Sequence, residues 1–229
     1  MPADPQKRQV HVWSWSLASD LLGGAAAEAV LSDDEKARQQ RFVSADLRRR
    51  FLAAHAGLRL ALGRHLGLDP RALSFEANEF GKPRLKGSWP GDFNLSHSGD
   101  RAVLAVSDDS KVGIDLERIR PIEHLDLAKR YFHPNEVAAI EAPRDPEAQR
   151  RAFFLIWTLK EAVVKAIGVG LSIPLDTFEV SIAASQPTLV LAPQRAQRTC
   201  WLQSTTLENY CLSLAVPGVA DVGLIHRTV

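Results

Sequence analysis

Two short stretches hold the residues best suited to chemistry. Gly113-Ile-Asp-Leu-Glu117 sets Asp115 and Glu117 two apart, and Trp157-Thr-Leu-Lys-Glu-Ala-Val-Val-Lys165 sets Glu161 and Lys165 four apart. The first stretch reads as a strand, where residues two apart share a face, roughly 7 Å from one another along the backbone. The second reads as a helix, where residues four apart share a face. If the two elements meet, three carboxylates (Asp115, Glu117, Glu161) and two lysines (Lys160, Lys165) converge on one point. Hard carboxylate oxygens suit a divalent cation, and ammonium groups suit phosphate oxygens, so the pattern predicts phosphate chemistry. The bland alternatives are a charged edge strand for Asp115 and Glu117, and a surface ion pair for Glu161 and Lys165 worth only a few tenths of a kcal/mol. Phe153, Phe154, Ile156 and Trp157 argue for a largely buried helix, where a Glu–Lys pair calls for a function.

The elements that must position these residues follow from periodicity. Val10–Trp15 alternates as a strand, and Ser32-Asp-Asp-Glu35 is a capping box that opens a helix. A stronger helix is expected from Ser44 to Leu66, with Leu47, Phe51, Leu58, Leu62 and Leu66 at three- and four-residue steps and Gly67 and Pro70 as its stop. Strands are expected over Leu73–Phe80, Ala102–Val106 and Val112–Leu116, with the turn Gly81-Lys-Pro83 between the first two. Short helices over 128–132 and 135–141 precede a loop at 143–146 and a long helix over 147–167. Gly168 and Gly170 follow that helix rather than open one, so a C-cap is their expected role and a phosphate loop is not. Four further strands complete the chain. Each half thus carries a long helix, a glycine-containing turn and a run of strands ending in an apolar one. This predicts an α/β (α+β) fold of two similar subdomains arranged as a pseudo-dimer, residues 1–110 and 111–229, with a site at their interface.

The 229 residues are 45% hydrophobic and 24% charged with a net charge of +1, which is globular composition without the global basic charge of a nucleic-acid binder. Arg48-Arg49-Arg50 is a local basic run whose default reading is a solvated helix face. Cys200 and Cys211 lie in apolar surroundings and form neither a disulfide framework nor a metal cage. No secretory leader is visible at the N-terminus, and no apolar run approaches the ~20 residues of a membrane span. A cytoplasmic protein is expected.

Gly113–Glu117, Trp157–Glu161 and Lys165, together with Gly81-Lys-Pro83, Asn94-Leu-Ser-His-Ser98 and the basic segment ending in Arg50, resemble the signature of the 4′-phosphopantetheinyl transferases. The motifs fall in order over about residues 36–170, and the two-halves layout resembles the longer, monomeric type. The resemblance implies transfer of phosphopantetheine from coenzyme A to a serine hydroxyl of an apo acyl or peptidyl carrier protein. It implies Mg²⁺ (or Mn²⁺) on Asp115, Glu117 and Glu161, with Glu161 also the base. It implies Lys165 on the pyrophosphate, and coenzyme contacts from Arg50, Lys82, Ser96, His97 and Lys160. Lys36 and Arg38 match the family's basic helix loosely, and Phe51 stands where a small hydroxyl residue often contacts the coenzyme. Leu116, between the two carboxylates, cannot ligate a metal. The stretch from Arg118 to Ala139 follows the metal-binding strand and mixes Arg118, Arg120, Lys129 and Arg130 with Leu125, Leu127, Tyr131, Phe132 and Val137; it is expected to dock the carrier. Two alternatives remain open here, a non-catalytic coenzyme A-binding protein and a metal-dependent phosphodiesterase.

Overall fold

The structure, a computed structural model, describes residues 7–18, 23–194 and 197–229. Residues 1–6, read above for a leader, lie outside that range. The elements run in a repeated order. The first half has strand β1 (Arg8–Ser16), short helices α1 (Gly24–Ala29) and α2 (Asp33–Gln40), the long helix α3 (Ala45–Leu66), short strands β2 (Phe75–Ala77) and β3 (Pro83–Leu85), and strands β4 (Asp92–Ser98) and β5 (Arg101–Ser107). The second has β6 (Gly113–Arg118), α4 (His124–Tyr131), α5 (Pro134–Glu141), α6 (Pro146–Ile167), β7 (Glu179–Ser181), β8 (Thr188–Leu191), β9 (Cys200–Leu207) and β10 (Tyr210–Pro217). In both halves the opening strand lies antiparallel to the last one, which pairs in turn with the one before it: β1-β5-β4 and β6-β10-β9. The fold is α+β, two like halves in one chain.

The final strand β11 (Val222–Thr228) leaves the half it follows in sequence. It pairs in parallel with β1, so the chain end joins the first sheet, which a division at residues 110 and 111 does not anticipate. Its apolar residues explain the return: Val222 and Leu224 pack into a core shared by Val10, Val12, Ile114 and Leu214.

The two long helices are set by their ends. Ser44 caps α3, and Gly67 closes it in the left-handed conformation at φ 68°. Asp145 caps α6 by accepting from the N–H groups of Glu147 and Ala148, Pro146 occupies its first turn, and Gly168 closes it at φ 79°. The strand expected over 73–80 is cut to Phe75–Ala77 because Asn78 folds the chain back. Its Oδ1 accepts from Phe80 N at 3.0 Å and from Lys82 N at 2.8 Å. Helix α6 buries Phe153, Phe154, Ile156, Leu159 and Val163. It also lies close against β6: a methyl group on Gly113 would meet the backbone of Ala162 and Ala166. That approach brings Asp115 and Glu161 to one place.

Candidate active site

The seam between the halves is a ladder from side chains to backbone. Strands β4 and β6 are not paired through their main chains. Instead, alternate side chains of β4 accept from alternate N–H groups of β6 and of Val112 just before it. Asp92 Oδ2 takes Val112 N at 3.0 Å and Asn94 Oδ1 takes Ile114 N at 2.8 Å. Ser96 Oγ takes Leu116 N at 3.2 Å and Ser98 Oγ takes Arg118 N at 3.1 Å. The amides on the edge of β6 away from β10 are thereby satisfied without a second partner strand.

Beside this seam lies a cavity of about 350 Å³ lined by Leu95, Ser96 and His97 from β4, Asp115 and Glu117 from β6, and Trp157, Glu161 and Lys165 from α6. Asp115 is buried. Its Oδ1 accepts from Lys165 Nζ at 2.5 Å and from Ser96 Oγ at 2.9 Å. Its Oδ2 is buried with no hydrogen-bond partner among the described residues. Glu117 Oε2 accepts from Ser98 Oγ at 2.8 Å. Burial raises the pKa of Glu117, opposed by the Ser98 hydroxyl and reinforced by the charge of Asp115. Burial also raises the pKa of Glu161, and the charges of Asp115 and Glu117 push the same way against Lys165. Among the described residues, no three His, Cys, Asp or Glu side chains stand close enough to hold a metal ion as they are. Three carboxylates sharing one cavity repel each other, which keeps them from closing on one point without a cation.

His97 is exposed at the mouth of the cavity. Partial desolvation of its ring lowers its pKa, and Lys165, His55 and Arg50 push in the same direction. Arg50 reaches the β4–β5 turn, where it donates to the Gly99 carbonyl and pairs with Asp100 at 2.8 Å. Phe51 offers no hydroxyl; its ring stacks on His55 at 4.0 Å between centroids, with the Arg38 guanidinium 5.7 Å from its centre. These residues lie on the side of α3, where Arg50 is also paired with Asp46 at 2.6 Å.

Two lysines depart from expectation. Lys160 is not at the cavity. It is fully buried, and its ammonium donates to Glu136 at 2.6 Å and to the Phe178 carbonyl at 2.7 Å. Adjacent helical residues point about 100° apart, so Lys160 and Glu161 cannot share a face. Lys82 does not line the cavity either. It donates to Asp92 at 2.6 Å and to the Val112 carbonyl at 3.0 Å, and so acts as a strut beneath the start of β6. One lysine, Lys165, meets the carboxylates. Ser96 does line the cavity, but its oxygen is engaged by Asp115, Leu116 N and Lys165.

The carrier stretch is also thinner than expected. Phe132 is buried and stacks on Phe153, while Leu125, Leu127 and Val137 pack against the same core. Lys129 is exposed but pairs with Glu141 at 2.9 Å. Tyr131 is exposed, with Arg130 over its ring. The sequence reading does not single out Ser98 as a contact of Glu117, or Asp92 and Asn94 as members of the ladder that joins the halves. Their signal is a run of small polar residues at every second position, the mark of a strand face that bonds rather than packs.

Residues 15–109 match the family model described as 4′-phosphopantetheinyl transferase, N-terminal, and residues 111–215 match that of the 4′-phosphopantetheinyl transferase superfamily. The chain is 36% identical over 214 residues to the 4′-phosphopantetheinyl transferase HetI of a Nostoc species, across 92% of this chain and 88% of that relative. The chain belongs to the 4′-phosphopantetheinyl transferase superfamily. A second superfamily member, a 4′-phosphopantetheinyl transferase of Bacillus subtilis, is 37% identical over 154 residues, covering 67% of each chain. Among solved structures, the holo-[acyl-carrier-protein] synthase of Thermotoga maritima superposes with a TM-score of 0.42 at 19% identity, over 50% of this chain and 64% of that one. The break between the two family-model matches, at residues 109–111, falls just before β6.

Proposed function

We propose that this transferase moves 4′-phosphopantetheine from coenzyme A to a serine hydroxyl of an apo carrier protein, and that the cavity between β4, β6 and α6 is where it does so. The observation that carries the reading is the convergence of Asp115, Glu117, Glu161 and Lys165 in one cavity lined from both halves. The site is complete within one chain, which supports a monomer. No described helix is long and apolar enough to cross a membrane, and we assign the protein to the cytoplasm.

The donor set fits a hard divalent cation. Asp115 Oδ2 is a buried oxygen without a partner among the described residues, and burial with mutual repulsion holds Glu117 and Glu161 above their ordinary pKa. Asp115, Glu117 and Glu161 would hold Mg²⁺. When bound, it offsets charge on the pyrophosphate oxygens.

The chain's own groups do the rest. Lys165, fixed by Asp115, presents a positive charge to the pyrophosphate. Arg50 and His97, on the side of α3, would meet the phosphates at the adenosine end as hydrogen-bond donors. Glu161 takes the proton of the carrier serine. The serine oxygen forms a bond to the phosphorus that bears the pantetheine. The bond from that phosphorus to the bridging oxygen breaks, and 3′,5′-ADP leaves with the electron pair. Trp157 covers the side of the cavity nearest α6. Outside it, Arg118, Arg120, Arg130 and Tyr131 are exposed and are proposed to meet the carrier.

The test is to incubate purified protein with coenzyme A and a panel of apo carriers and weigh the carriers intact. Addition of one phosphopantetheine supports the reading. Release of free phosphopantetheine without labelling would make the protein a phosphodiesterase.

A further inference from the structure

We infer that Ser96 and Ser98 are positioning residues of the carboxylate cluster, distinct from the purely structural members of the same ladder. The inference rests on the reading of the cavity as the transfer site. All four ladder side chains accept one backbone N–H, three from β6 and one from Val112 just before it. Only the two serines also hold a functional carboxylate. A serine hydroxyl has one proton, and here its direction is determined. Ser96 accepts from Leu116 N and from Lys165 Nζ, which leaves its proton for Asp115 Oδ1. Ser98 accepts from Arg118 N, which leaves its proton for Glu117 Oε2.

The geometry has a consequence for the free oxygens. Ser96 and Lys165 are both on Oδ1 of Asp115, and the other oxygen, buried beside them, is the one that has no partner among the described residues. The Ser98 hydroxyl bonds Oε2 of Glu117 and fixes that side chain's rotamer on the same face. A hydrogen bond that orients a carboxylate is the kind of outer contact whose loss costs about 10- to 100-fold in metal affinity or activity. Asp92 and Asn94 lack this second role. Asp92 holds Lys82 and Val112 N, and Asn94 holds Ile114 N, and neither is hydrogen-bonded to one of the three carboxylates. The ladder thus sorts into a lower half that joins the two subdomains and an upper half that aims the site.

The two halves of the ladder supply their own control. Ser98→Ala and Ser96→Ala are compared with Asn94→Ala, with Ser98→Thr as the variant that keeps the hydroxyl. Mn²⁺ affinity is read by electron paramagnetic resonance titration, melting temperature by circular dichroism, and kcat and KM by carrier labelling. The expected result is that the two serine variants lose about tenfold in Mn²⁺ affinity and in kcat, with the KM for coenzyme A changed less than threefold. Ser98→Thr recovers most of the loss. Asn94→Ala lowers the melting temperature at least as much as Ser98→Ala but keeps Mn²⁺ affinity within twofold; Asn94→Ser serves if the alanine variant does not fold. Wild-type Mn²⁺ affinity and kcat in Ser98→Ala would overturn the inference. So would a loss of affinity in Asn94→Ala equal to that in Ser98→Ala. Serine-dependent Mn²⁺ binding in a protein that labels no carrier would keep the positioning role and refute the transferase reading.

Discussion

Gly113 lies against Ala162 so closely that a methyl group on Gly113 would stand 2.0 Å from the Ala162 carbonyl oxygen and 2.4 Å from Ala166 N. Both obstacles are helix backbone, which no rotamer change moves aside. The glycine that opens the Gly-Ile-Asp-Leu-Glu run is therefore a spacing device, and it sets the distance between the strand of Asp115 and the helix of Glu161. Gly113→Ala should destabilise the protein by about 3 kcal/mol or more in urea unfolding. In the folded fraction, kcat should fall by about 10², because the shift separates groups that must act together. Wild-type turnover in Gly113→Ala would show that the two elements need not touch.

The carboxylates should make activity depend on a divalent cation. Chelation with EDTA should abolish carrier labelling, and Mg²⁺ or Mn²⁺ should restore it. Glu161→Gln keeps the shape of the side chain and removes both a ligand charge and a base, so the rate should fall by about 10² or more. A loss under threefold would mean that Glu161 has no part in the reaction.

Lys160 and Lys165 should separate cleanly. Lys160 is buried with Glu136 as its partner, so Lys160→Met leaves a buried carboxylate unpaired and should cost about 3–5 kcal/mol in stability. Folded Lys160→Met should bind coenzyme A as wild type does. Lys165→Met also removes the partner of a buried carboxylate, Asp115, so it should lose stability too, but where it is folded it should lose turnover as Lys160→Met does not. A raised KM for coenzyme A in Lys160→Met at a temperature where it is folded would return that lysine to the coenzyme site.

His97 lines the cavity and Arg50 reaches the β4–β5 turn near it, and both should act on ground-state phosphate. His97→Ala should raise the KM for coenzyme A more than it lowers kcat. Dephospho-coenzyme A, which lacks the 3′-phosphate, is the probe. The wild type should prefer coenzyme A over it, and His97→Ala should narrow that preference.

Acid stability should trace to α2. Burial pushes the Glu35 carboxyl up, but His55, the Ser32 N–H and Arg59 overcome it and hold the pKa at about 2, against 4.5 for a free glutamate. Between those values the unfolded chain binds more protons than the folded one, so stability falls as pH drops from about 4.5 towards about 2. The contribution present at neutral pH is on the order of 3 kcal/mol. Glu35→Gln should be less stable by a similar amount at pH 7 and should show a shallower loss across the acid range. Parallel urea curves at pH 7 and pH 3 check it.

Much of this architecture is legible in the sequence. Helix α6 shows its buried stripe and both caps, Asp145 with Pro146 at one end and Gly168 at the other, so Glu161 and Lys165 could be placed on one face before any coordinates. The alternation of Asp115 and Glu117 is equally local. What stayed hidden depends on contacts between distant segments. Nothing near residue 222 says that β11 will cross to β1, because a short apolar strand fits either sheet. Nothing near Lys82 says that Asp92 and the Val112 carbonyl will hold it. Lys160 is a different case: its place beside Glu161 already forbids a shared face, and the helix geometry was there to be used.

The most direct measurement is the intact mass of an apo carrier after incubation with this protein, coenzyme A and Mg²⁺, with 3′,5′-ADP counted in the same reaction. The account predicts one phosphopantetheine added to the carrier serine and one 3′,5′-ADP released for each carrier labelled. Unlabelled carrier with free phosphopantetheine in solution, or with coenzyme A untouched, would contradict it.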